Sequence, residues 1–138
     1  MQAIFLNVDL ELESASNLDL IATEMGNRVL VLHSGKLPNP KRNFLALEAA
    51  RSYKSPDTTI HALGAIVESL SPAAKGIWDL ARKRFDVGFE SPPHEKLSRF
   101  ALRPATLERI ARLGASLAVT YYRRDEPATQ PRGVRNGR

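Results

Sequence analysis

The chain reads as an α+β domain: a largely antiparallel sheet of about five strands with three to four helices packed mainly on one face. Three observations predict it. Residues 3–13, AIFLNVDLELE, alternate apolar and polar side chains with period two. Residues 56–83 carry apolar positions at spacings of three and four behind two Ser-Pro starts. The other strand-like runs are short and one-sided, and they neither alternate strictly with helices nor segregate from them.

In residues 3–13, Ile4, Leu6, Val8, Leu10 and Leu12 fall on one face, and Asn7, Asp9, Glu11 and Glu13 on the other. That is a strand with one buried and one wet side. Asn17 is placed to cap a short helix over Leu18–Met25, with Asp19 suited to its first turn and Gly26 to its end. Arg28–Ser34 reads as a second strand and Gly35–Pro40 as a turn or loop. Phe44–Ala49 reads as a third strand, with a helix over 42–51 as the alternative. Ser55-Pro56-Asp57 starts a helix whose inner stripe is Ile60, Leu63, Ile66, Val67 and Leu70. Ser71-Pro72 starts a second, over Pro72–Lys83, with Ile77, Trp78 and Ala81 inside and Asp79–Lys83 as a surface pair. Phe85–Glu90 is a strand that Pro92-Pro93 ends, and Leu97–Leu102 a short extended piece. Pro104–Leu113 is a helix with Leu107, Ile110 and Leu113 inside and a Glu108–Arg112 pair outside. Ala115–Tyr122 closes the fold as a strand with Leu117, Val119 and Tyr121 on one face. Residues 1–122 therefore form the domain, and 123–138, with no apolar periodicity, read as a basic, flexible C-terminal tail.

Composition narrows the chemistry. The 138 residues are 43% hydrophobic and 25% charged, an ordinary globular balance. There is no cysteine, which excludes disulfides, thiolate metal sites and thiol catalysis. With no leader pattern and no long apolar run, the expectation is a cytoplasmic protein without membrane contact. The net charge of +5 is unevenly spread. Residues 1–27 hold five acidic side chains and no Lys or Arg, whereas 123–138 hold five Arg against Asp125 and Glu126. Arg outnumbers Lys by fourteen to six, which suits bidentate recognition of phosphate or carboxylate, or reflects codon composition.

No catalytic constellation emerges. Asp86 and Glu90 share a strand face about 13 Å apart at roughly 3.3 Å per residue, beyond the separation of paired glycosidase carboxylates. Asp9 or Glu11 beside them would repel rather than complement, so a solvated face is expected. Gly88 between them marks a bulge or a close crossing. His33, His61 and His94 lack metal-ligand spacing. Ser69 and Ser71 are explained by capping, and no nucleophile elbow, phosphate loop or dinucleotide fingerprint occurs. Trp78 shares its helix face with Ile77 and Ala81 and reads as core. No cofactor, metal or catalytic residue is expected, and an enzyme would need a pocket that leaves no motif.

Three stretches, IHALGAIVESLSP at 60–72, FDVGFE at 85–90 and TLERIARLGASLAVTYY at 106–122, resemble the bacterial family called domain of unknown function 4279. The resemblance spans residues 3–122. It implies a compact α+β domain of unassigned activity and brings no catalytic residues with it. The residues themselves point to a non-enzymatic module acting through a protein partner, of the kind that immunity or antitoxin-like accessory proteins exemplify. Arg103, Arg109, Arg112, Arg123 and Arg124 are the candidate partner-binding residues. The alternative is an accessory nucleic-acid-binding protein using the arginine-rich C-terminal region, whose affinity would fall steeply with salt. Pairing of the last strand across a homodimer is expected if that strand lies at a sheet edge.

Overall fold

The computed structural model describes residues 3–38, 41–91 and 99–123. The elements are β1 (Ile4–Ser14), α1 (Asp19–Met25) with a 3-10 turn (Gly26–Arg28), β2 (Val29–Pro38), β3 (Lys41–Ala49), α2 (Pro56–Glu68), α3 (Pro72–Leu80), β4 (Arg82–Ser91), α4 (Pro104–Arg112) and β5 (Ser116–Arg123). The five strands lie in the order β2-β3-β1-β4-β5. All pairings are antiparallel except β4–β5, which is parallel. The α+β class, the largely antiparallel sheet and the four helices match the expectation from sequence.

The topology explains why the helices share a face. β1 returns as parallel β2, two places to one side, through α1. β3, running the opposite way, steps two places to the other side through α2 and α3 to reach β4. β4 steps once more in that direction through α4 to β5. Strand direction and lateral step reverse together, so three crossovers of the usual right hand all pass over the same face. One continuous core results. Val8, Leu10, Leu12, Leu45, Leu47, Phe85 and Val87 from the sheet meet Ile21, Ile60, Leu63, Trp78 and Ile110 from the helices. Each such side chain contributes about 1.5–3 kcal/mol by leaving water.

Several local readings change in the folded chain. The register of β1 against β4 shifts between Phe5 and Asn7, leaving Leu6 as an extra residue. The bulge turns Phe5 inward onto Phe89, 5.9 Å between ring centroids, and turns Ile4 and Leu6 outward at 45% and 49% exposure. β2 continues through Gly35–Pro38, paired with Lys41–Phe44, where a loop was expected. Pro38 is tolerated because β2 is an edge strand with no ladder bond to lose on its outer side. No strand or helix is assigned to 99–103, and residues 97–98 of the expected extended piece lie outside the described residues. On α4 the buried positions are Thr106 and Ile110, while Leu107 is 49% exposed.

Two polar joints fix further positions. β4 begins at Arg82, so Lys83 is a buried strand residue rather than half of a surface pair with Asp79. Its Nζ donates to the carbonyls of Trp78 (2.9 Å), Ala81 (3.0 Å) and Asp79 (3.4 Å), closing the C-terminal end of α3. Trp78 lies beneath it and donates its Nε1–H to the carbonyl of Leu113 (3.0 Å). The second joint binds α2 to α4. Asp57, buried at the start of α2, accepts from the Thr106 hydroxyl (2.5 Å) and the Arg103 amide (2.9 Å). Burial alone would raise its pKa, but these bonds and the charges of Arg103 and His61 outweigh that, and its pKa falls below the ordinary 3.8. The bond to Asp57 turns Thr106, rather than Leu107, inward. At the other end of the sheet's helical layer Glu24 accepts from Ser71 N–H and Oγ–H (2.8 and 2.6 Å), tying α1 to the cap of α3.

Lys83→Met keeps the side-chain bulk but leaves the carbonyls of α3 without donors. It is expected to cost about 1–3 kcal/mol, read as a lowered urea midpoint; an unchanged midpoint would show the joint to be dispensable. Because Asp57 has a depressed folded-state pKa, its ionised form contributes stability at neutral pH that is lost as pH falls through the ordinary carboxylate range. Asp57→Asn should therefore lower thermal stability at pH 7, with the gap to the unaltered chain closing at lower pH.

Candidate functional site

The face of the sheet opposite the helices carries the polar half of β1. Asn7, Asp9, Glu11 and Glu13 alternate with the core positions, and β4 presents Arg82, Arg84, Asp86, Gly88 and Glu90 on the same side. Register sets their neighbours. Asp9 stands directly opposite Asp86 on β4. On the other side Leu10 pairs with Leu47, and the next residue along places Glu48 beside Asp9. Three carboxylates therefore form a row across the three central strands, at the 4.5–5.5 Å spacing of cross-strand side chains.

Cations are unequally shared along this face. Glu11 holds Arg84 (2.9 Å from Nε) and Glu13 holds Arg42 (3.2 Å). Among the described residues no Lys, Arg or His forms an ion pair with Asp9, Glu48 or Asp86. Neutral donors serve two of them: Thr120 Oγ1 donates to Asp86 (2.9 Å) and Asn7 Nδ2 to Glu48. Asp9 bears the consequence. Burial first, then the charges of Glu48, Asp86 and Glu11, push its pKa up to about 6.

Beside this row lies a hollow of about 170 Å³ lined by Leu6, Asn7, Asp9, Asp86, Gly88 and Tyr122. Gly88 pairs with Asn7 beside the bulge of β1, and the absent side chain leaves room against the Tyr122 ring. Glu90 is not part of the hollow, nor is any histidine among the described residues. His33 sits on β2 against Phe44 (5.4 Å), His61 lies on α2 beyond the other face of the sheet, and His94 is outside the described residues. Among the described residues no three or more His, Asp or Glu side chains are placed so that they could hold a metal ion. A wider groove of about 420 Å³ at the end of β3 is floored by Ala49, Ala62 and Ala65 and flanked by Arg51 and Tyr53.

The candidate arginines do not form one patch. Arg109 and Arg112 both turn to Glu68 on α2, at 2.8 and 3.5 Å, so Arg112 leaves Glu108 aside. Arg109 also donates to His61 Nδ1 (3.2 Å) and has a side chain only 18% exposed. Arg103 caps α4 and reaches Asp57 at 3.8 Å, with 71% of its side chain exposed. Arg123 ends β5 opposite Ser91, and Arg124 lies outside the described residues. Sequence reasoning passed over Asp9 and Glu48 as a site. The acidic period of β1 was visible, but the strand order that lays Glu48 and Asp86 on either side of it was not.

Raising the pKa of a carboxylate in the folded state makes its ionised form destabilising, so the penalty grows as pH rises from about 4 to about 6 and persists above. Asp9→Asn is accordingly expected to raise the melting temperature at pH 7.5 and to leave it nearly unchanged at pH 4. Equal effects at both pH values would dissociate the destabilisation from charge.

No protein-family model, curated protein or solved structure matches this chain.

Proposed function

We propose that the chain is a non-enzymatic binding module that acts through a protein partner, and that it receives a basic surface of that partner on the uncovered face of its sheet. One observation carries the reading. Glu48, Asp9 and Asp86 stand side by side without an ion-pair partner among the described residues, although Glu11 and Glu13 on the same face each hold an arginine. Like charges in a row cost stability, and a destabilising arrangement at a surface is the usual trade made for binding. A lysine or arginine from outside would remove the repulsion and gain a desolvated ion pair, which contributes most to orientation and encounter rate. An immunity or antitoxin-like role, in which a small acidic face blocks a basic effector, is the biological form this chemistry suits.

The nucleic-acid reading has less to support it. Arg109 and Arg112 are engaged with Glu68, and the uncovered face has the wrong sign for phosphate.

The test is affinity capture from the native host with the unaltered chain and with the triple variant Asp9→Asn/Glu48→Gln/Asp86→Asn, followed by titration of the purified captured protein. The expected result is a basic protein whose affinity falls at least tenfold with the triple variant and weakens with salt. Binding should also be weaker at pH 5 than at pH 7.5, where Asp9 is ionised. Equal binding by both chains, or binding only of nucleic acid sensitive to Arg103→Ala/Arg123→Ala, would overturn the reading.

A further inference from the structure

β5 is an edge strand of eight residues, and among the described residues no strand pairs with its outer side. The two edges of the sheet differ. β2 has the features that keep an edge from pairing: a register irregularity after Val31, Lys36 along its length and Pro38 at its end. Ser116–Tyr122 has neither proline nor charge, and the only charged residue of β5 is the terminal Arg123. Leu117, Val119 and Tyr121 lie on the helix side in register with Phe85, Val87 and Phe89, yet the helices leave them 38%, 38% and 48% exposed.

From this pattern we infer that the chain self-associates through β5, which pairs antiparallel with β5 of a second copy about a two-fold axis at Val119. The sequence of the strand is self-complementary in that register. Val119 meets the second copy's Val119, and Leu117 and Tyr121 meet each other twice, so the exposed row becomes a continuous apolar seam. On the uncovered face Ala118 meets Thr120, a pair of small side chains. Arg123 falls opposite Ala115, which keeps the two cations apart. Opposed side chains at cross-strand distance on one apolar face stabilise such a pair, and a two-fold contact closes after two copies. The product is a ten-stranded sheet whose remaining edges are the two guarded β2 strands. It uses the edge of the sheet and leaves the acidic face free, so it stands independently of the partner proposed above.

The chain has no cysteine, which makes the test direct. Light scattering after gel filtration should give the mass of two chains for the unaltered protein, and of one for Val119→Lys, which sets two ammonium groups against each other. Val119→Cys treated with a short bis-maleimide should yield a covalent dimer, whereas Leu32→Cys, 49% exposed on β2, should stay monomeric. Circular dichroism establishes that each variant is folded; should Val119→Lys unfold, the cross-linking decides. A single-chain mass at every concentration, a dimer that survives Val119→Lys, or cross-linking at Leu32 rather than Val119 would overturn the proposal. The first of these would leave the edge to a strand of a different protein.

Discussion

The whole arrangement depends on β1 lying at the centre of the sheet with opposite chemistries on its two sides. Val8, Leu10 and Leu12 are fully buried, and between them stand Asp9, Glu11 and Glu13. A slip of one residue against either neighbour would drive three carboxylates into the core, so the register is held on both flanks. Leu10 is thereby fixed opposite Phe85 and Leu47. The same pairings leave no choice about the other side: Asp86 and Glu48 arrive beside Asp9. The repulsive row is the counterpart of the well-packed core.

Why that row lies on the side of the sheet away from the helices is a matter of topology. Each reversal of strand direction coincides with a reversal of the lateral step, and every helix is delivered to one side. The helices are then locked by polar joints as much as by apolar contact. Lys83 gathers the end of α3, Glu24 holds its beginning, and Asp57 with Thr106 registers α4 on α2. Lys83, Asp57 and Thr106 are buried and hydrogen-bonded, so removing one partner leaves the other unsatisfied.

Such joints also change how the charge of the chain should be understood. A basic total of +5 suggests an anionic partner, and the arginines of α4 are among the candidates to meet it. In the fold Arg109 and Arg112 neutralise Glu68 at home. The negative charges left without ion pairs are concentrated on the central strands instead. The total charge and the charge of this row have opposite signs because pairing is decided locally, by which side chains come within about 4 Å.

Local pattern alone settled a good deal. Period two in 3–13, apolar spacings of three and four after Ser55 and Ser71, and the caps at those serines are short-range properties, and the elements appear where the residues place them. The class of fold and the core identity of Trp78 follow from the same signals. What local pattern could not contain were the long-range pairings. The bulge that turns Phe5 inward, the strand nature of Lys83, the inward Thr106 and the parallel β4–β5 pair each depend on a partner dozens of residues away. So does the acidic site, whose members come from three strands and share no sequence neighbourhood. Periodicity records which side of a segment avoids water; only strand order and register decide which ionised groups must then live side by side.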